Sequence, residues 1–209
     1  METKPKYIIW QEKIWEYLKS NFSKRNNLLR LVVFVFALII VIIPSIIMLE
    51  WCQQQTIADP FGPNGFWSIY IINNDGVSFG MFSDNPSVAI GIQWTTNIIL
   101  LIALLFVDKW YYILLLSFAT IGGFFNAIQR LIPWNYLGNF GVNGVCDYFK
   151  FDFWPGFGIF NFPDIFVVCG IFGFVIIFII MTIINLVEEL KIEKLLEGKK
   201  KKEDGKNHS

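Results

Sequence analysis

Four long apolar windows, Leu31 to Leu49, Ser87 to Val107, Trp110 to Ile132 and Ile165 to Val187, constrain this chain more than any other feature. Each approaches the roughly 20 residues needed to cross a hydrocarbon core about 30 Å thick. The first, second and fourth contain no charged residue. With 55% of its residues hydrophobic, only 16% charged and 22 phenylalanines, the chain carries more apolar surface than one ordinary soluble domain can bury. The windows predict an all-α membrane protein with four transmembrane helices.

The formal net charge is zero, but the basic residues are not evenly spread. Lys4, Lys6, Lys13, Lys19, Lys24, Arg25 and Arg30 precede the first window, Lys109 lies between the second and third, and Lys191, Lys194, Lys199, Lys200, Lys201, Lys202 and Lys206 follow the fourth. Only Arg130 and Lys150 of the 17 basic residues lie elsewhere. Basic residues near span ends stay on the cytoplasmic side, so both termini and the Asp108-Lys109 link are expected inside, with residues 50–86 and 133–164 outside. The chain then divides into a basic leader (1–30), a four-helix transmembrane region (31–187) and a cytoplasmic lysine-rich tail (188–209).

Within the leader, residues 5–20 put Tyr7, Trp10, Ile14 and Tyr17/Leu18 at helical spacing among Lys6, Lys13, Glu12 and Glu16, which predicts an amphipathic helix on the inner membrane surface, or one packed on protein. The first window is long, follows a basic leader and lacks a small-residue cleavage site, so it reads as an uncleaved anchor kinked at Pro44. The terminal GKKKKEDGKNHS reads as a solvated tail without fixed structure. In the first outer segment FWSIYII, NNDG and VSFGMF read as strand, turn and strand, a small extracytoplasmic β-hairpin or β-cradle. The second outer segment, rich in Gly, Asn and aromatics, is long for a passive connection.

Polar groups at membrane depth need a reason. Asn74 to Gly80 reads by itself as a tight turn. Gly122 and Gly123 suit close helix packing. Asn126, Gln129 and Arg130 share one helix face near the outer end of the third window, and Arg130 should seek a carboxylate. Alone, Asp147 is an ordinary loop acid, and Asp164 after Pro163 is a helix-start anion favoured by the dipole. Taken with Asn126, Arg130 and Asn161, the two acids suggest a pair sharing one proton, in which one carboxylate activates water and the other donates to a carbonyl oxygen. Such chemistry needs no metal. A Ser-His or Cys-His layout has no base on that side, because His208 in the tail is the only histidine. Zinc-ligand spacing and a phosphate-binding glycine loop are also missing. Cys52, Cys146 and Cys169 read as free thiols in preference to a Cys52–Cys146 pair.

At these residues the sequence resembles the lipoprotein signal peptidase family, also called signal peptidase II, membrane-embedded aspartic proteases. NDGVSFG is similar to that family's Asn-x-Gly-x-x-Phe-Gly, with Asn74 and Gly76 matching. GGFFNAIQR is similar to Gly-Gly-x-Gly-Asn-x-x-Asp-Arg, with Asn126 and Arg130 matching. GVCDYF is similar to Val-Val-Asp-Phe/Tyr, which carries one catalytic aspartate, here Asp147. FNFPD is similar to Phe-Asn-x-Ala-Asp, which carries the other, here Asp164, supported by Asn161. The motifs occur in the family's order across all four windows. Gln129 replaces an aspartate, Phe125 a glycine and Pro163 an alanine, and the stretch from Arg130 to Asp147 is longer than usual.

The resemblance implies an aspartic endopeptidase of the plasma membrane that removes the signal peptide from diacylglyceryl-modified prolipoproteins at the outer interface. Asp147 and Asp164 would be catalytic, and Asn74, Gly76, Asn126, Arg130 and Asn161 supporting or substrate-binding. Asp164, at a helix start, is expected to be the more often ionised acid. Prolipoproteins and membrane lipids are the partners implied, with no cofactor, metal or nucleic acid, and the chain is expected to be a monomer. The Gln129 substitution leaves a catalytically impaired, lipoprotein-binding homologue as the alternative. A small proton-coupled transporter fits less well, since its acids should lie near mid-membrane.

Overall fold

Long apolar runs without breakers form helices because only a helix satisfies its own backbone in lipid. The computed structural model describes residues 6–54, 66–77, 80–132, 144–154 and 156–207. Five helices and three strands follow in order: α1 (Lys6–Asn21), α2 (Lys24–Gln53), β1 (Trp67–Asn74), α3 (Pro86–Phe106), α4 (Trp110–Leu131), β2 (Val145–Phe151), β3 (Ile159–Phe160) and α5 (Phe162–Asn207). Four helices contain stretches long and apolar enough to cross a membrane, Lys24–Cys52, Pro86–Phe106, Trp110–Leu131 and Phe162–Leu196. They coincide with the four windows of the sequence.

The chain forms two units, Met1–Ile171 and Phe172–Ser209. The second consists of the later turns of α5, helical through Asn207, so the lysine-rich run is helix and not the unstructured tail its composition suggested. Runs of lysine are good helix formers once a preceding helix supplies the nucleus. The first unit holds the sheet and the polar residues considered below.

Within that unit α4 is central: 56% of its apolar window is buried by protein, against 17% for α2 and for α3. Its buried face carries Ser117, Ala119, Thr120, Gly122, Gly123 and Ala127, small side chains that let neighbouring backbones approach. At Gly122 a Cβ would lie 2.6 Å from the carbonyl oxygen of Pro163, so the start of α5 sits directly on α4. Ile121 packs with Ala37 and Val41 of α2.

The α1 helix forms where its periodicity predicted it and leaves Trp10 and Trp15 exposed. Its end is tied to the C-terminus of α3, whose last carbonyls lack helical partners. The Tyr17 hydroxyl donates to Phe106 O at 2.7 Å, Asn21 Nδ2 to Leu105 O at 2.9 Å and Arg30 Nε to Val107 O at 3.0 Å. Pro44 is accommodated inside a continuous α2.

The sheet differs from the predicted hairpin. Strand β1 forms as expected, but its antiparallel partner is β2 from the other connecting segment, with Trp67 opposite Phe151, Ile72 opposite Asp147 and Asn74 opposite Val145. Strand β3 adds to the far edge of β2, giving the order β1-β2-β3. Residues after β1 turn too tightly to run back along it. Gly76 packs on the backbone of Gly80, Gly80 and Phe82 have φ of 75° and 63°, and a single bridge joins Val77 to Met81.

Candidate active site

Asp147 is the third residue of β2 and is 1% exposed, whereas Asp164, in the first turn of α5, is half-buried. Three asparagines connect them. Asn74 Nδ2 donates to Asp147 Oδ2 at 2.8 Å, and Asn161 Nδ2 donates to Asp147 Oδ1 at 2.7 Å. Asn126 Nδ2 donates to Asp164 Oδ1 at 2.8 Å, and the Asn161 backbone N–H to Asp164 Oδ2 at 3.0 Å. Every carboxyl oxygen of the pair thus accepts an amide N–H, which fixes both rotamers. Asn161 Nδ2 also reaches Asn126 Oδ1 at 3.2 Å, closing the network between the two acids.

Local folding explains why these groups meet. Asn161 precedes α5 and Asp164 is its third residue, the positions of a capping box, with Phe162 and Pro163 between them. Proline costs nothing at this point, because the first-turn N–H groups have no helical acceptor. Asn74 closes β1, and its Oδ1 accepts the Gly76 N–H at 3.0 Å, a side-chain turn that aims its amide at Asp147.

Burial raises the Asp147 carboxyl far above the usual range, to about 8, helped by the negative charge of Asp164 and opposed by the Asn74 hydrogen bond, the Arg130 charge and the Asn161 hydrogen bond. Burial also raises the neighbouring Tyr148 phenol, whose oxygen accepts the Phe162 N–H at 3.0 Å. Asp147 thus holds its proton more tightly than a free carboxylic acid does, beside an Asp164 that sits at the positive end of a helix dipole.

Arg130 was expected to hold a carboxylate. Its guanidinium donates to the carbonyl oxygen of Asn74 at 3.1 Å, to that of Gly76, and through Nε to Gln93 Oε1 at 2.7 Å. It braces the turn that presents Asn74. A planar, fork-shaped set of donors suits several acceptors at once. All the supporting residues singled out from the sequence, Asn74, Gly76, Asn126, Arg130 and Asn161, belong to this one network. Ser78 and Phe79 of the turn motif, the segment 133–143 and His208 lie outside the described residues.

Sequence reasoning missed Gln93 and Tyr148 as contributors, and the partner of Gln129. Gln93 supports Arg130, and its presence in an otherwise apolar window was a usable signal. Gln129 Oε1 accepts the Cys146 N–H at 3.2 Å, pinning the strand beside Asp147 to α4. Tyr148 ties β2 to the start of α5 and gave no signal beyond adjacency. Next to the acids lies an aromatic wall, with Phe149 5.1 Å from Phe162 and 5.8 Å from Phe160, and Phe151 5.0 Å from Phe160, centroid to centroid.

Residues 33–181 match the family described as "Signal peptidase (SPase) II". The chain is 32% identical over 197 residues to the lipoprotein signal peptidase of Malacoplasma penetrans, covering 92% of this chain and 80% of that protein. It is 40% identical over 107 residues to the lipoprotein signal peptidase of Mycoplasmoides gallisepticum, covering 51% of this chain and 34% of that one. Its fold is similar to that of a bacterial membrane enzyme solved by the in meso method at 2.3 Å, with a TM-score of 0.55 and 22% identity over 75% of this chain and 90% of the other.

Proposed function

The chain belongs to the signal peptidase II family, and from that premise we propose that it is an aspartic endopeptidase cutting diacylglyceryl-modified prolipoproteins with Asp147 and Asp164 as its catalytic pair. It is a multi-pass membrane peptidase that removes signal peptides from lipoproteins. The observation that carries the aspartic reading is the asparagine network holding all four carboxyl oxygens of the pair.

In the proposed reaction a water between the carboxyls gives a proton to the Asp164 carboxylate as its oxygen attacks the scissile carbonyl carbon. Asp147 gives its proton to the carbonyl oxygen. The tetrahedral intermediate collapses when Asp164 passes its proton to the leaving nitrogen, the C–N bond breaks, and Asp147 recovers a proton from the departing gem-diol. Preorganised amides spare the carboxyls reorientation during these transfers. Asn74, Gly76, Asn126, Arg130 and Asn161 act by holding the pair in place.

The apolar signal helix would enter from the bilayer, with the scissile bond on the side opposite the basic termini, as the lysine and arginine distribution supports. The aromatic wall around Phe149 and Phe160 offers an apolar surface to the lipid chains. The impaired-homologue alternative drew on Gln129. Its side chain holds the strand bearing Asp147, which favours an intact site.

The test is incubation of the purified full-length protein in detergent with a prolipoprotein that carries the diacylglyceryl cysteine, and with the same protein lacking lipid. Cleavage of the modified form alone, just before its cysteine, is expected. A folded protein that leaves the modified form intact would overturn the reading.

A further inference from the structure

Cys52 closes the apolar run of α2, and Cys146 immediately precedes Asp147 on β2. Although far apart in sequence, both are buried in one cluster with Leu49, Ile71 and Tyr148, Cys52 at 0% and Cys146 at 5% exposure. Both are free thiols. That one small cluster brings a thiol from α2 and a thiol from β2 into the same buried volume. Cys146 is also wired into the site: its N–H is held by Gln129, and the carboxyl of the next residue by Asn74 and Asn161.

We propose that Cys52 and Cys146 are a covalent modification site, a thiol pair that a small disulfide-class oxidant closes into a bond tying α2 to the strand that carries Asp147, thereby slowing cleavage. The bond itself does not depend on the function proposed above, whereas its effect on cleavage rests on that reading. In the reaction one cysteine thiolate attacks a sulfur of the oxidant and expels a thiolate. The second cysteine thiolate then attacks the protein sulfur of the mixed disulfide and expels the other half. Two electrons and two protons leave the cysteines, and the oxidant departs as two thiols.

The surroundings of the pair shape the response. The Cys52 side chain first, and burial second, raise the Cys146 thiol above its ordinary range, so thiolate is scarce and closure is slow. The pair therefore answers prolonged oxidant exposure, not brief fluctuation. Once closed, the bond draws the Cys146 backbone toward α2 and away from the position that Gln129 and Asn161 define. Displacements on the order of 1 Å at a reacting group are enough to cost about a hundredfold in rate.

The test uses the full-length protein in detergent with Cys169→Ala, which removes the exposed cysteine that would link separate molecules. After long incubation with oxidised glutathione, intact mass and peptide mapping are measured, and prolipoprotein cleavage is assayed before and after dithiothreitol. The expected result is loss of two hydrogens, a bridged peptide joining Cys52 to Cys146, and cleavage lowered by about tenfold or more and restored by reductant. Adding Cys52→Ser, or Cys52→Ala where serine disturbs folding, should make cleavage insensitive to the oxidant. Two thiols still alkylated after denaturation, or glutathione adducts without a bridge, would overturn the site. A bridge that leaves cleavage unchanged would overturn its control of the enzyme. Reduced protein that cuts nothing would count against the function proposed above, while the mass measurement would still decide the bridge.

Discussion

Asn161 and Asp164 exchange hydrogen bonds across the first turn of α5: Asn161 Oδ1 accepts the Asp164 N–H at 2.9 Å, and Asp164 Oδ2 accepts the Asn161 N–H at 3.0 Å. The same Asn161 uses its amide nitrogen on Asp147 Oδ1 at 2.7 Å. One residue therefore starts a helix, fixes one acid through that helix, and holds the other acid directly.

These two roles separate by substitution. Asn161→Ser keeps an N-cap oxygen but loses the amide donor, whereas Asn161→Ala loses both. Thermal unfolding should put Asn161→Ala below wild type by about 1 kcal/mol and Asn161→Ser close to it. Cleavage should fall by about tenfold or more in both, chiefly in kcat. Wild-type kcat in Asn161→Ser would mean that the contact with Asp147 has no catalytic consequence.

Removing either acid should abolish the proton transfers. Asp147→Asn and Asp164→Asn are each expected to reduce cleavage by about a hundredfold to ten-thousandfold. The double variant should be hardly worse than the single ones, because the pair acts as a unit. Losses that multiply would argue for independent roles.

The protonation of Asp147 gives a pH dependence of definite sign. Its carboxyl is raised from an ordinary 3.8 to about 8, so the folded protein holds this proton more tightly than the unfolded chain does. Its stabilising effect is complete below about pH 4 and is lost as pH rises through about 8. Cleavage should decline over the upper part of that range, as the second acid ionises. Melting temperatures measured from about pH 5 to about pH 9 should fall for wild type and flatten for Asp147→Asn.

Gly122 carries the contact between α4 and the start of α5. A methyl group there would meet the Pro163 carbonyl oxygen at 2.6 Å, backbone that cannot rotate aside. Gly122→Ala should cost about 1–3 kcal/mol and displace Asp164, lowering kcat as well as stability. Gly91→Ala, where nothing lies within 4 Å, is the control and should leave both unchanged or raise stability slightly.

Arg130→Lys tests the brace on the turn. One ammonium cannot span Gln93 Oε1 and the carbonyl oxygens of Asn74 and Gly76 together. Cleavage should fall despite the retained charge. Activity equal to wild type would show that charge alone suffices at this position.

Local signals were legible in the sequence. The four spans could be read because hydropathy over about 20 residues reports directly on lipid burial. Asp164 at a helix start and the Asn74 turn could be read because capping and turn chemistry act over a few residues. Asn126, Gln129 and Arg130 were placed on one helix face by periodicity alone, and all three are buried toward the site.

What the tertiary structure decided is which distant groups face one another. Strand β1 reads as a strand from its own residues, but its pairing with β2 depends on a turn at Gly76 too tight to return along it. Arg130 was known to need partners, and two of its acceptors are the backbone carbonyls of Asn74 and Gly76, which no side-chain pattern marks. Gln129 on the Cys146 N–H and Tyr148 on the Phe162 N–H likewise use backbone partners. The sequence by itself determined the spans and the helix start with Asp164 in its first turn, since those rest on local hydropathy and capping. Their convergence was left to packing, because a hydrogen bond between segments far apart along the chain is specified by where the backbone passes and not by the neighbours of either residue.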